Sequence, residues 1–309
     1  MKTIYSLHKP IFIVGLHRTG STLFKNMMNL NSEVAMATDE MDFSDPWYKS
    51  FDRVAASVGD LSVAENRRML IDIIYRGEIH GTFWKEYPGL DIPTEKIIAN
   101  FDRSDHSQKS LITILLEAYR EREGKKRVGV KYPVHISRLK LLYTWWPDAK
   151  VIFLIRDIRA IITSKVNDEK TRERKKQHRL LAPLIHYSAL FFFLVDYVWS
   201  ALVFKKYKSR YNFLKIRYED FISKPEETVS EVCRFCEIPF EEGMLNAFGK
   251  ASSITGEVKK GFDPKRISHW KTKLSTVDKW LVTGLMFPWM HTFGYGQIEQ
   301  EYRNWNKSV

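Results

Sequence analysis

The chain has 309 residues, 44% of them apolar and 28% charged, and 49 Lys and Arg against 37 Asp and Glu leave a net charge of +12. The apolar share excludes a disordered polyelectrolyte, and the length allows one large domain or two small ones. Two cysteines exclude a disulfide framework; Cys233 and Cys236, three apart in EVCRFCEI, lack the further Cys or His of a zinc site and read as core thiols of a reducing, cytoplasmic compartment.

The first residues, MKTIYSLHKPIFIVG, hold no long apolar segment, so they predict a short leader into a strand over 10–15 rather than a signal peptide. Gly15 opens a turn, Leu16-His17-Arg18-Thr19-Gly20, that ends in Ser21 and Thr22 and an apolar helical pattern to Leu30. A short strand is expected over Val34–Thr38. SVAENRRMLIDIIYRG reads as a helix, and Pro88 and Pro93 mark loops. Ser107 to Glu123 carries Leu111, Ile114, Leu115 and Ala118 at helical spacing. RVGVKYP is a strand candidate, and ISRLKLLYTWW a helix closed by Pro147. AKVIFLIRD is a near-continuous apolar strand of the kind buried in a parallel sheet, with IRAIITSKV the helix after it. RYNFLKIRYEDF predicts a strand and a loop, and KPEETVSEVCRFCEI a helix with proline in its first turn.

This alternation predicts an α/β fold, a three-layer sandwich around a mostly parallel central sheet, with a P-loop-like phosphate-binding turn. It forms a single domain over residues 1–309, and a largely helical insertion at about 45–123 is expected over the ligand edge. Two stretches stand apart. EKTRERKKQHR packs six Lys or Arg into eleven residues, which suits a polyanionic small molecule or a solvated helix face. ALFFFLVDYVWSALVF, short for a membrane span and interrupted by Asp196, reads as a buried helix; peripheral membrane contact aided by Lys205, Lys206 and Lys208 is its second reading.

A strand feeding a glycine-bounded turn and then a helix aims several backbone N–H groups at one point, an anion site strengthened by the helix's positive end. The ATPase pattern needs lysine directly after the second glycine, and here Ser21 stands there, which argues against ATP or GTP hydrolysis. Arg18 supplies a cation from inside the turn. A second anion site is suggested where the strand Val151–Ile155 ends in Arg156, with Ser164 eight residues later on the following helix. Asp157 is expected to hold Arg156 or cap that helix, and Arg159 to face solvent or join the same anion field.

GLHRTGSTLF resembles the 5′-phosphosulfate loop of sulfotransferases that use 3′-phosphoadenosine 5′-phosphosulfate, and LIRDIRAIITS resembles their 3′-phosphate motif. VKYPVHISRLKLLYTWWPDAKVIFLIRD and LKIRYEDFISKPEETVSEVCRFCEIPF extend the resemblance over 128–165 and 213–240, and the arginine in the loop is similar to the bacterial and carbohydrate-type branch. The resemblance implies that Arg18, Thr19, Gly20, Ser21 and Thr22 surround the 5′-phosphate, and that Arg156 and Ser164 hold the 3′-phosphate. Lys260 and Arg266 fall where the family closes over the nucleotide, while Arg217, Glu219 and Asp220 of RYEDF are expected to form buried pairs or caps that brace the sheet. The product is adenosine 3′,5′-bisphosphate, and no metal is implied.

The same likeness implies Arg18 at the leaving oxygen, Lys131 as a second cation, and Glu40 as general base. His135 is the rival base, since the cytosolic branch uses a histidine near this lysine, but its spacing fits packing at the start of a helix better. The expected acceptor is a hydroxyl of a carbohydrate, glycolipid or other lipid, selected by residues 41–110 and 167–205, where Trp47, Tyr48, Phe83, Trp84 and Tyr87 could stack on sugar or line an apolar pocket. A P-loop kinase is the alternative enzyme, and a non-catalytic basic nucleotide- or nucleic-acid-binding protein the alternative of another class. No helix-turn-helix, zinc-finger or RNA-binding motif accompanies the basic block, so a nucleic-acid partner is not expected.

Overall fold

The structure, a computed structural model, describes residues 5–37, 41, 43–44, 49–247 and 262–295. Among the described residues five strands, β1 (Ile11–Gly15), β2 (Val34–Met36), β3 (Arg127–Lys131), β4 (Lys150–Ile155) and β5 (Phe213–Arg217), form one sheet in the order β2-β3-β1-β4-β5. Every pairing is parallel. Because alternate residues of a strand face opposite sides, the apolar runs feed two cores at once. Phe12, Val14, Val128, Val130, Val151, Phe153 and Ile155 enter one; Ile11, Ile13, Ile152, Leu154 and Ile216 enter the other. The three-layer architecture follows from that double burial.

The helices are α1 (Ser21–Asn29), α2 (Phe51–Val58), α3 (Ala64–Tyr75), α4 (Thr82–Glu86), α5 (Thr94–Asp102), α6 (Gln108–Arg122), α7 (Leu139–Trp145), α8 (Ile158–Val166), α9 (Glu169–Gln177), α10 (Ala182–Tyr207), α11 (Tyr218–Ser223), α12 (Pro225–Cys236), α13 (Lys265–Ser268), α14 (Trp270–Lys273) and α15 (Thr276–Thr292). On one face α1, α11 and α12 cover the sheet; on the other, residues of α2 to α8, α10 and α15 share a single core. Ser107 caps α6 as its sequence suggests, accepting from the Ser110 N–H. RYEDF departs from expectation, since the residues after β5 form the helix α11 instead of a loop.

The apolar run in α10 is the larger departure. Leu190, Leu194, Tyr197 and Ala201 are buried, but Leu184, Phe191, Phe192, Val195, Trp199 and Leu202 are exposed. A buried helix was expected; one face packs on the core and the opposite face does not. The reason is visible in the sequence, where apolar residues run all the way round the helix and only one side finds a neighbour. Cys233 and Cys236 are free and buried, and burial pushes their thiols up to about 11 and about 12.

Candidate active site

In open parallel sheets ligands lie beyond the carboxyl ends of the strands, where connections leave in opposite directions. Here that point lies between β1, whose connection runs to β2 on one side, and β4, whose connection runs to β5 on the other. Register then decides which residues meet. Gly15 pairs with Leu154, and Ile155 with Arg217, so the turn after β1, Arg156 after β4 and Tyr218 after β5 emerge side by side.

The turn is built on two glycines. At Gly15 a Cβ would stand 2.2 Å from the carbonyl oxygen of Leu154, so β1 and β4 approach this closely only without a side chain. Gly20 has φ +84°, and its Cβ would lie 2.5 Å from the Tyr218 ring. Arg18 also takes a left-handed φ of 71°. The buried Thr19 turns its hydroxyl inward, where it donates to the Leu16 carbonyl at 2.8 Å, so its side chain braces the turn and leaves only its backbone for a ligand. Helix α1 begins at Ser21 with no capping side chain and no acid in its first turn, so its leading N–H groups keep a positive potential. Ser21 is buried at this end and Thr22 half-buried beside it.

The two stretches singled out in the sequence converge. Arg18 donates from Nε to the Ser164 hydroxyl at 2.9 Å and from Nη2 to the Ser164 carbonyl at 3.3 Å. Arg156 donates from Nη1 to the Arg18 carbonyl at 3.2 Å and from Nη2 to the Arg266 carbonyl at 3.0 Å. Its guanidinium lies 4.1 Å from the centre of the Tyr218 ring, while its buried Nε has no partner among the described residues. Tyr218 is thus held between Gly20 and Arg156. The sequence had pointed to its neighbours Arg217, Glu219 and Asp220; an aromatic residue directly after a strand end was the available signal. Arg266 enters through its backbone, and its side chain faces Asp263 at 3.7 Å.

The neighbouring charges brace this cluster. Asp157 does not hold Arg156. It caps α8 by accepting from the Arg159 N–H and pairs with the Arg159 side chain at 2.6 Å, both residues being buried. Arg159 therefore neither faces solvent nor joins the cations of the site, and its guanidinium stacks 3.7 Å from the Trp270 ring. Glu219 accepts from the Asp157 N–H and from the Tyr295 hydroxyl at 2.6 Å, and burial raises its carboxyl. Arg217 lies over the Tyr295 ring at 4.4 Å.

Lys131 closes β3 and is buried. His135 lies apart from the Arg18–Arg156–Ser164 contacts. Its ring stacks on Phe43 at 4.5 Å, its Nε2 accepts weakly from the Phe43 N–H at 3.5 Å, and complete burial drives it down to about 3, which keeps it neutral. Glu40 and Lys260, with Trp47 and Tyr48, lie outside the described residues. Phe83, Trp84 and Tyr87 are fully buried, with the Phe83 ring packed against both of the others.

Residues 10–242 match the model of a family described as the sulfotransferase family. The chain belongs to the sulfotransferase family. Membership supports sulfuryl transfer from 3′-phosphoadenosine 5′-phosphosulfate as its general activity. Solved structures share the fold. The sulfotransferase domain from the Synechococcus PCC 7002 olefin synthase is 17% identical with a TM-score of 0.52, over 91% of this chain and 95% of that one. The sulfotransferase domain from the curacin biosynthetic pathway is 19% identical at 0.54, over 91% and 98%. Sulfotransferase STF9 from Mycobacterium avium is 13% identical at 0.51, over 94% and 78%. Among curated proteins none matches.

Proposed function

We propose that this sulfotransferase moves a sulfuryl group to a hydroxyl of a carbohydrate, glycolipid or other lipid, in the manner of the arginine-loop branch. The observation that supports the nucleotide reading is the contact of Arg18 with both Arg156 and Ser164, at the open end of α1. Two cations fixed at one crevice suit an adenine nucleotide charged at both its 5′ and 3′ positions, and ATP has no 3′ group to use the second. The orphaned Arg156 Nε and the uncapped N–H groups of α1 are donors of the kind a phosphate oxygen accepts from.

In this reading Gly20, Ser21, Thr22 and the backbone of Thr19 hold the 5′-phosphate. Arg156 and Ser164 hold the 3′-phosphate, joined by the Arg266 and Lys260 segment. The cosubstrate supplies the sulfuryl group; the chain orients it and stabilises charge. Arg18 stands to neutralise the leaving oxygen, where electrostatic help counts most because charge develops there, and Lys131 adds a second cation. Glu40 takes the acceptor's proton as general base, a role that requires hydrogen-bond reach of the hydroxyl.

Calorimetry with adenosine 3′,5′-bisphosphate and with ATP, each with and without magnesium, tests the nucleotide reading. Metal-independent preference for the bisphosphate supports it, and preference for Mg-ATP favours a kinase and ends it. A screen of glycan, glycolipid and lipid hydroxyls with radiolabelled donor then identifies the acceptor.

A further inference from the structure

Between Lys170 and Arg210 the chain carries ten Lys or Arg and only Glu173 and Asp196 as acids, so a stretch of 41 residues holds +8 of the total +12. Those charges are not spread evenly. Six lie in and just after α9, with Arg172, Arg174, Lys176 and Arg179 exposed; Lys205, Lys206, Lys208 and Arg210 follow at the far end of α10 and are exposed too. The 26-residue helix between them exposes Leu184, Tyr187, Phe191, Val195, Trp199 and Leu202 at three- and four-residue steps, which places them on one face. Leu180, just before it, is 98% exposed. Asp196 lies at the border of this face, about 100° round the helix from Val195.

The opposite face is fixed to the protein. Tyr197 packs edge-on against Phe293, and Phe204 stacks near Phe153 and Phe213. Pulling α10 out to span a bilayer would strip the core of these rings, so the helix can meet lipid only along its outer side. Helix α15 runs parallel beside it, as the contacts His186–Asp278 and Lys205–Trp289 show, and exposes Val277, Trp280 and Leu285. A row of exposed large apolar side chains with basic clusters at both ends is unlike the exterior of an ordinary soluble domain.

We infer that the outer face of α10 docks the protein, flat and peripherally, on an anionic phospholipid bilayer. The apolar stripe enters the boundary between headgroups and chains, Trp199 suits that boundary by its amphipathic ring, and the two basic clusters draw anionic headgroups. A second copy of the chain would bring like charges together at both ends of the stripe if the helices paired in parallel, whereas anionic lipid neutralises both clusters at once. Helix α8, which carries Ser164, packs directly on α10, so the lipid surface would lie one helix behind the candidate site.

Co-sedimentation without nucleotide tests this independently of sulfuryl transfer. Vesicles of phosphatidylcholine with about one third phosphatidylglycerol should bind the protein at least tenfold more tightly than phosphatidylcholine alone, and raised salt should weaken that binding. The exposed triple variant Phe191→Ser, Phe192→Ser, Trp199→Ser should lose at least tenfold in vesicle affinity with its circular dichroism unchanged. Should that variant fail to fold, Lys205→Glu, Lys206→Glu, Lys208→Glu should show the same loss from the charged end. Equal binding to both vesicle types, unchanged binding by a folded variant, or light scattering that shows a dimer dissociated by the triple variant would overturn the inference; the last would assign the face to a second copy.

Discussion

Arg18 and Ser164 are 146 residues apart in the chain, yet the arginine Nε donates to the serine hydroxyl at 2.9 Å. The contact ties the first glycine turn to the helix after β4. It also means that a ligand held by both residues must share or replace this hydrogen bond, so their contributions to binding cannot be independent. A double-mutant cycle of Arg18→Ala and Ser164→Ala, read by calorimetry with adenosine 3′,5′-bisphosphate, should show a coupling of about 0.5–3 kcal/mol, the range for residues in direct contact. Arg18→Ala should weaken binding about 10- to 100-fold, as expected when a charged hydrogen-bond donor is removed from a phosphate. Additive single effects would mean that the nucleotide does not touch both.

Gly20→Ala meets two obstacles. A left-handed φ of 84° disfavours any side chain, and the new methyl would fall 2.5 Å from the Tyr218 ring. The strained backbone costs on the order of 1–3 kcal/mol, and the clash displaces the ring that supports Arg156. Gly20→Ala should therefore lower the melting temperature and weaken bisphosphate binding together. Adding Tyr218→Ala removes the clash but not the strain, so it should recover part of the stability and none of the binding. Full recovery of both would show that Tyr218 does nothing for Arg156.

The sheet was legible because its strands are buried on both faces, which leaves uninterrupted apolar runs in IFIVG and KVIFLI. Glycine spacing and the arginine and serine after β4 marked the two stretches that the fold brings together, since they depend on residue types at short range. What the sequence could not give was pairing across the fold. Nothing local says that Asp157 takes Arg159 and leaves Arg156 to Tyr218 at the start of α11, because that choice depends on which strands lie adjacent. Nor does composition tell which side of α10 finds a neighbour. Phe83, Trp84 and Tyr87 show a related limit: aromatics interleaved with charge suit both a binding pocket and the amphipathic faces of short helices, and only the fold shows that these three are buried.

Burial keeps His135 neutral, with its ring shifted down to about 3 from an ordinary value near 6.5. The folded protein then binds no proton at this position between those limits, while the unfolded chain does. Stability must rise with pH across that window and fall as the solution is acidified from about 6.5 towards 3, with a slope of up to about 1.4 kcal/mol per pH unit from this group. Urea denaturation from pH 4 to 7 should show the trend, and His135→Gln should flatten it even where it lowers stability overall. An unchanged slope in that variant would assign the acid sensitivity to other groups.

The choice of base follows the same chemistry. A histidine with so low a pKa is a poor proton acceptor at neutral pH, because base strength falls with pKa. A carboxylate beside a bound anion is raised by like charge, which improves it as a base, and Glu40 is the carboxylate proposed for that role. Glu40→Gln keeps size and hydrogen bonding but cannot take a proton, so it should reduce kcat about 100- to 10,000-fold, the usual worth of general-base help, with bisphosphate affinity within about twofold of the parent. His135→Gln should leave kcat within about threefold when assayed near pH 7, where the variant stays folded. If Glu40→Gln turns over normally and His135→Gln does not, the proton leaves by way of the histidine. The low pKa would then have to rise once acceptor and nucleotide are bound, and a pH profile of kcat with an inflection between 5 and 8 that vanishes in the histidine variant would reveal it.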